Sequence, residues 1–228
     1  MNEIENKNND SFLLFKIVII GNSNVGKTRI LNSYALKEYT FKNDTKSTIG
    51  INFVSVRVKI KGDFVNFQIW DTAGEERYRS IIMNYFKKAK GALIVYDITN
   101  DKSFNQIDFW FKELKNQTDA EIILVGNKLD LSEERKIDYS TGKAKAKSCN
   151  ASFFEVSAKN KENINEVFNT LFNKIYENHK NEDDEPFFEE TSPTFDKQIF
   201  NEQKFDNLSF NHPSFKLDAN TKNYELCC

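Results

Sequence analysis

A glycine-containing stretch, GNSNVGKT (21–28), has the residue types and the spacing that bind phosphate. Gly21 and Gly26 allow backbone amides to curl around phosphate oxygens where a Cβ would obstruct them. Lys27 would bring a positive charge to the β- and γ-phosphates, and Thr28 would offer its hydroxyl to Mg²⁺. Because an apolar run precedes this stretch and a helical pattern follows it, we interpret it as a phosphate-binding loop.

A second stretch, NKLD, would select the base of a nucleotide. The Asp130 carboxylate can accept hydrogen bonds from the ring N–H and the exocyclic amine of guanine, whereas adenine offers no matching pair of donors. Asn127 and Lys128 would support this loop and cover the base, and in SAK (157–159) the Ala158 amide would meet the guanine oxygen. NKxD alone is a weak signal, but its place between the phosphate loop and SAK predicts a guanine-nucleotide site.

Short apolar runs and helical patterns alternate around these motifs, and they would position them. We predict strands at 12–20, 51–60, 65–70, 91–98, 121–128 and 152–158, and helices at 28–39, 103–117, 139–150 and 164–180. Such alternation implies an α/β fold, with a mostly parallel six-stranded sheet and helices on both faces. Ligands bind such sheets at the carboxyl ends of the strands, where the two motifs fall.

Composition excludes several classes of protein. The chain has 228 residues and a net charge of −2, so it has no overall basic character for nucleic acid. No segment reaches the ~18 apolar residues of a membrane span. Three cysteines do not form a disulfide framework of the secreted kind, so we expect a reducing cytosolic setting, with Cys149 as a small core residue.

Charge and periodicity divide the chain into three parts. We predict a disordered leader at 1–11, a folded domain at 12–180 and a disordered acidic tail at 181–228. From Lys180 onward five lysines accompany eleven acidic residues, a net of −6. In this tail Phe recurs at every fifth position from 195 to 215, which either reflects composition bias or serves to dock a partner.

The motifs GNSNVGKT, STIGINF, FQIWDTAGEERYRSI, GALIVYDIT, NKLD and EVSAK occur in one order over about residues 12–178. In these motifs the chain resembles the Rab class of small GTPases in the Ras superfamily, and most closely the branch associated with recycling endosomes. The resemblance implies a P-loop NTPase G domain that binds GTP or GDP with Mg²⁺ and hydrolyses GTP to GDP. It therefore implies a molecular switch in vesicle-mediated transport.

The resemblance also implies roles for further residues. Thr48 would bind Mg²⁺ together with Thr28, Asp71 would approach the metal through water, and Gly74 would donate its amide to the γ-phosphate beside the catalytic Lys27. Each switch segment is ordered by the γ-phosphate and released on hydrolysis. The implied nucleotide contacts are Asn22, Ser23, Asn24, Val25, Gly26, Lys27, Thr28, Arg29, Phe41, Thr48, Gly74, Asn127, Lys128, Asp130, Ser157, Ala158 and Lys159. The implied effector surface is Ile49, Gly50, Phe53, Trp70 and Tyr85, of which the three aromatic residues also suit ordinary sheet packing.

One residue of WDTAGEER departs from the family pattern, because Glu75 stands where the family has the Gln that orients the attacking water. An ionised carboxylate only accepts hydrogen bonds, and at ~5 Å from a phosphate charge it costs about 3 kcal/mol at an effective dielectric near 20. Because Glu75 occupies the position that orients the attacking water, we expect slow intrinsic hydrolysis of GTP. Two alternatives stay open: Glu75 swings into water without effect, or the phosphates protonate it and it donates.

The final residues, Cys227 and Cys228, resemble the double-cysteine ending of Rabs, in which both thiols receive geranylgeranyl groups. Two lipids give a stable anchor where one gives marginal binding, and this acidic tail adds no polybasic attraction. As a flexible chain of about 46 residues, it would hold the domain ~35–40 Å from the bilayer. The resemblance implies the cytoplasmic face of endomembranes, in exchange with the cytosol, on recycling endosomes or Golgi-derived vesicles.

The implied partners are an exchange factor, a GTPase-activating protein, a prenylation escort, a GDP-dissociation inhibitor and effectors. Activating proteins of this class can supply an Arg and a Gln in trans, so even a slow chain could be switched off. Two rival interpretations remain. One is a scaffold locked in one nucleotide state, which hydrolysis assays would reveal. The other is a P-loop nucleoside kinase or ATPase, which competition between ATP and GTP would reveal.

Overall fold

The computed structural model describes residues 13–36, 51–72 and 83–181. The predicted leader and all of the predicted tail after Asn181 lie outside these ranges. The strands are β1 (Leu13–Ile20), β2 (Ile51–Ile60), β3 (Asp63–Thr72), β4 (Ala89–Asp97), β5 (Glu121–Asn127) and β6 (Ser152–Val156). The helices are α1 (Lys27–Ala35), α2 (Asp101–Asn105), α3 (Ile107–Lys115), α4 (Tyr139–Ser148) and α5 (Ile164–Asn181), with a 3-10 helix at Leu129–Glu134.

The six strands form one sheet in the order β2-β3-β1-β4-β5-β6. The pairing of β2 with β3 is antiparallel, and every other neighbouring pair is parallel. This confirms the predicted α/β fold with a mostly parallel six-stranded sheet. Because β1, β3, β4, β5 and β6 run in one direction, the segments that follow them leave from the same edge of the sheet.

The central strand β1 is buried on both faces, as its continuous apolar run predicts. Ile17 and Ile19 join the core on the side of α1 and α5, whereas Val18 and Ile20 join the core on the side of α3 and α4. Helix α5 covers the first face with its predicted apolar stripe, whose members are all buried: Ile164, Val167, Phe168, Leu171, Phe172 and Ile175. Cys149 is buried too, as expected of a small core residue.

The helix predicted at 103–117 is instead two helices, α2 and α3, separated at Gln106. The Asn100 side chain accepts hydrogen bonds from the amides of Lys102 and Ser103, so α2 begins earlier than predicted. The Ser103 hydroxyl in turn accepts from the amide of Asp97 at 3.0 Å. These contacts fasten α2 to the end of β4, and α3 begins after the break, at Ile107.

The remaining connections follow their local chemistry. Lys61 and Gly62 both have positive φ, at 49° and 104°, and they form the tight turn predicted between β2 and β3. Helix α1 ends at Ala35 because Leu36 is extended. Among the helices of the described ranges, none combines the length and the apolar character needed to cross a bilayer.

Candidate functional site

The segment between β1 and α1 has the backbone of a phosphate-binding loop. Gly21, Asn24 and Gly26 all have positive φ, at 141°, 62° and 96°. Gly26 precedes α1 without any side-chain cap, and the first turn of α1 holds no acidic residue. The helix dipole favours an anion at this end of α1, as expected of a phosphate-binding helix start.

Lys27, the first residue of α1, follows this loop directly and has a buried side chain. Its ammonium group donates to the carbonyl oxygens of Gly21 at 3.0 Å and Asn22 at 2.8 Å. An ammonium group has three donors, so these two bonds leave one direction for a phosphate oxygen. Burial lowers the pKa of Lys27 to about 8, and the charge of Asp71 opposes that shift. A bound polyanion would restore the preference for the charged form.

Thr28, in the first turn of α1, meets Asp71, near the last residue of β3, beside Lys27. The Thr28 hydroxyl donates to Oδ2 of Asp71 at 2.5 Å. Asp71 is 1% exposed, and its Oδ1 has no hydrogen-bond partner in the described part of the chain. Burial raises the pKa of Asp71 to about 6, although the bond from Thr28 and the charge of Lys27 both oppose this.

This oxygen pair fits Mg²⁺. Hydroxyl and carboxylate oxygens are the hard donors that the ion prefers, and a buried carboxylate oxygen without a partner gains most from a nearby cation. Within residues 13–36, 51–72 and 83–181 no cluster of three His, Cys, Asp or Glu side chains could hold a metal alone. Magnesium sites usually contain one or two carboxylates and are completed by substrate phosphates.

Asn127, at the end of β5, joins the phosphate loop to the segment after β6. Its Nδ2 donates to the Val25 carbonyl at 2.8 Å, and its Oδ1 accepts from the Ala158 amide at 3.2 Å. The side chain is 2% exposed. A Cβ on Gly26 would lie 2.3 Å from Nδ2 of Asn127, so this close approach requires glycine. One amide thus holds two loops that lie far apart in sequence.

The Asp130 carboxylate is held in place by its neighbours but keeps acceptor capacity. Ser157 donates its hydroxyl to Oδ1 at 2.7 Å, and the Lys159 ammonium lies 3.8 Å from Oδ2. The Ser157 hydroxyl also accepts from the amide of Asn160 at 3.0 Å. Because an ionised carboxylate has about four acceptor positions, Asp130 can accept further bonds from a base.

Sequence reasoning missed a supporting residue, Asp97, at the end of β4. Its Oδ2 lies 2.6 Å from the Lys128 ammonium, and its Oδ1 accepts from the amide and the hydroxyl of Thr99. Lys128 has a positive φ of 70°. Asp97 could have been identified from the sequence as an acidic residue at the carboxyl end of a central parallel strand, because that edge of the sheet carries the other site residues.

The three predicted aromatic residues lie together on the sheet. Phe53 and Trp70 are register partners in β2 and β3, and their rings stack with centroids 4.9 Å apart. Tyr85 meets Trp70 at 5.6 Å. The Lys16 ammonium lies 4.7 Å from the centroid of the Trp70 ring, a cation–π contact. Phe53 is 49% exposed, so this cluster presents an apolar surface as well as packing on the sheet.

The structure therefore brings together the predicted residues of the phosphate loop, of α1 and of the segments after β5 and β6. Asn24 is exposed, Ser23 and Arg29 are half-buried, and Asn22 receives a bond from Trp110 that sequence reasoning missed. The other predicted site residues lie outside the described ranges: Phe41, Thr48, Ile49, Gly50, Gly74, Glu75, Cys227 and Cys228.

The sequence matches those of known proteins. The Ras family model matches residues 16–177. The chain is 43% identical over 165 residues to Ras-related protein RABA1b of Arabidopsis thaliana, which covers 72% of the chain and 76% of that relative. It is 42% identical over the same length to Ras-related protein Rab11C of Lotus japonicus, with 72% and 76% covered. Ras-related protein Rab-11C of Dictyostelium discoideum is 43% identical, with 72% and 73% covered.

Proposed function

The chain belongs to the Ras family, as a GTP-binding small GTPase of the Rab class, and on that premise we propose how its own residues operate the switch. The observation that carries the proposal is the double contact of Asn127, which joins Val25 to Ala158. This contact joins the segment before α1 to the segment after β6, which supports a nucleotide site formed by the two. We assign this function to a G domain spanning 12–180.

On the phosphate side, we assign Lys27 and the backbone of residues 22–26 to the β- and γ-phosphates. Two of the three Lys27 donors are already engaged on loop carbonyls, so the ammonium group is oriented before the nucleotide arrives. Thr28 and Thr48 would hold Mg²⁺ directly and Asp71 through water. When bound, this ion neutralises charge on the phosphate oxygens. Gly74 would donate its amide to the γ-phosphate.

On the base side, Asp130 would accept from the ring N–H and the amine of guanine, while the Ala158 amide would donate to the guanine oxygen. Ser157 fixes the Asp130 carboxylate, which supports this assignment. Lys128 and Phe41 would cover the base from its two faces, with Lys128 oriented by Asp97. The remaining proposed nucleotide contacts are Arg29, Ser157 and Lys159.

The hydrolysis step is where this chain departs from its family. We propose that Glu75 makes the intrinsic rate slow, because a carboxylate in the water-positioning place cannot donate and adds negative charge near the phosphates. The sequence WDTAGEER supports this proposal. A GTPase-activating protein would then be needed to return the switch to its GDP state.

Single-turnover hydrolysis of bound GTP tests this proposal. We would compare the natural chain with Glu75→Gln, and use Glu76→Gln as a control that removes the same charge one residue further along. We expect Glu75→Gln to speed hydrolysis severalfold or more, and Glu76→Gln to change it little. Equal rates in the natural chain and Glu75→Gln would refute the role of Glu75. Failure of the natural chain to retain GTP would refute the switch itself.

For partner recognition, we propose that effectors read the surface formed by Phe53, Trp70 and Tyr85 together with Ile49 and Gly50. The exposure of Phe53 and its stacking on Trp70 support this assignment. The regulators would be an exchange factor, a GTPase-activating protein, a prenylation escort and a GDP-dissociation inhibitor. The family membership supports such regulators in general.

For location, the relatives named Rab11 and RABA support endomembrane association in a trafficking pathway. We propose that Cys227 and Cys228 carry two geranylgeranyl groups and that the chain cycles between the cytosol and recycling endosomes or Golgi-derived vesicles.

A second function, a nucleotide-bound scaffold with negligible turnover, is favoured by one observation, the carboxylate at Glu75. The hydrolysis assay separates the two.

A further inference from the structure

A partly buried hydrogen bond links helix α3 to the phosphate loop. The Trp110 indole nitrogen donates to Oδ1 of Asn22 at 2.8 Å, across 88 positions of sequence. Trp110 is 1% exposed and is among the largest fully buried side chains. Because an indole nitrogen can only donate, the acceptor oxygen of the Asn22 amide must face it, and this fixes the orientation of that amide.

The same residue, Asn22, also holds the lysine of the site. Its backbone carbonyl accepts from the Lys27 ammonium at 2.8 Å, so one residue connects the indole of Trp110 to the charged group that meets phosphate. On its other side, Trp110 belongs to the apolar core that contains Val18 and Ile20 of β1. The indole is therefore fixed by packing at one end and bonded to the loop at the other.

We infer that Trp110 is a positioning residue for nucleotide binding, which acts through Asn22 on the phosphate loop and on Lys27. This inference rests on the proposed function, since it needs a nucleotide at the loop. Trp110 would act through its bond to Asn22 and not by contact with phosphate. It restrains the loop in the conformation that already points Lys27 at the site, so less ordering remains to be done on binding. It also couples α3 to occupancy of the loop.

The dissociation rate of labelled GDP from the full chain, measured with Mg²⁺ present, tests the inference. Trp110→Phe keeps an aromatic ring but removes the donor, and Asn22→Ala removes the acceptor. Each should speed GDP release about three- to tenfold, the range for one lost hydrogen bond. The double variant should release GDP about as fast as either single variant, because both changes remove the same bond.

A matched control separates positioning from loss of packing. Phe111→Leu alters a half-buried side chain of α3 that packs against the same core. It should lower the unfolding temperature while GDP leaves at the wild-type rate. Nuclear magnetic resonance gives a direct readout, because the chain has two tryptophans. The indole N–H signal that is lost in Trp110→Phe should shift in Asn22→Ala.

Several results would overturn the inference while leaving the proposed function intact. One is GDP release at the wild-type rate from both single variants. Another is a double variant that speeds GDP release by the product of the two single effects. The third is a Phe111→Leu variant that releases GDP as fast as the single variants do. Asn22→Ala alters a loop side chain, so it decides the question even where Trp110→Phe does not fold. A natural chain that binds no GDP would instead refute the proposed function, and this inference with it.

Discussion

At the scale of single residues, the phosphate loop depends on two glycines with different neighbours. A Cβ on Gly21 would lie 2.2 Å from the backbone oxygen of Val95, and a Cβ on Gly26 would lie 2.3 Å from the Asn127 amide. The first contact is with strand backbone, which cannot move aside, whereas the second is with a side chain. A side chain at Gly21 would therefore destabilise the sheet. A side chain at Gly26 would displace the Asn127 amide that connects the two loops.

Substitution of Gly21 by alanine should lower the free energy of unfolding by about 3 kcal/mol, because overlap with backbone adds to the strain of its positive φ. Gly62→Ala is the matched control. Gly62 has a φ of 104° and nothing within 4 Å of its would-be Cβ, so it should lose only about 1 kcal/mol. Urea unfolding measures both values. Equal losses in the two variants would contradict the overlap argument.

At the scale of elements, the loops that would read the base are supported by an ion pair between the end of the 3-10 helix and β6. The Arg135 guanidinium makes two parallel bonds to Glu155, at 2.6 and 2.7 Å, and Glu155 is buried. Its bonds to the Glu155 carboxylate raise the pKa of Arg135 above its ordinary value. The pair thus joins the segment after β5 to the strand that leads into SAK.

Removal of the arginine should leave a buried carboxylate unpaired. We expect Arg135→Leu to lower the free energy of unfolding by about 3 kcal/mol, and the double variant Arg135→Leu/Glu155→Leu to lower it by less. Lys145→Leu is the control, since its pair with Asp108 is largely exposed and should contribute about 0.5 kcal/mol. Denaturant unfolding of the four chains decides this. A double variant less stable than Arg135→Leu would contradict the argument.

The β2–β3 hairpin is fastened to α5 through Asp63. The Tyr176 hydroxyl donates to Asp63 at 2.5 Å and the Lys180 ammonium lies at 3.1 Å, and these two contacts lower the pKa of Asp63. A lowered pKa in the folded state stabilises the fold above the unfolded value near 3.9, and this stabilisation is lost as the pH falls through the folded value.

Titration of the Asp63 carboxyl carbon by nuclear magnetic resonance measures this contact. We expect a pKa below the ordinary range in the natural chain and a rise toward it in Tyr176→Phe, which removes the principal donor. Tyr139→Phe alters an exposed ring elsewhere and should leave the Asp63 pKa unchanged. If Tyr176→Phe leaves that pKa in place, the hydroxyl does not hold the carboxylate.

Sequence patterns predicted those elements whose evidence is local. The apolar run of β1, the stripe of α5 and the glycines of the phosphate loop each depend on near neighbours. The apolar pattern did not predict the break at Gln106, where the local bonds of Asn100 and Ser103 start a separate short helix. The bond from Trp110 to Asn22 could not be predicted, because these residues lie 88 positions apart and meet only after the sheet has formed.

At the scale of the whole molecule, the distribution of charge bears on membrane binding. The part before Lys180 carries about +4 and the remainder −6. If the proposed double prenylation anchors the chain, apolar insertion has to dominate, because the tail adds no attraction to anionic lipid. The doubly prenylated full chain should therefore sediment with neutral and with anionic vesicles to a similar extent at ~0.15 M salt. A strong preference for anionic vesicles would contradict this expectation. The double variant Cys227→Ser/Cys228→Ser, which cannot be prenylated, is the control without an anchor.

The central claim is that this chain reads guanine through Asp130 beside a phosphate loop. The most direct measurement is displacement of bound, labelled GDP by GTP and by ATP with Mg²⁺ present. A site built to bond to the guanine edge rejects a base that lacks those donors, so GTP should displace the label and a roughly hundredfold excess of ATP should not. Displacement by ATP as effective as that by GTP would contradict the account and favour an adenine-binding P-loop enzyme.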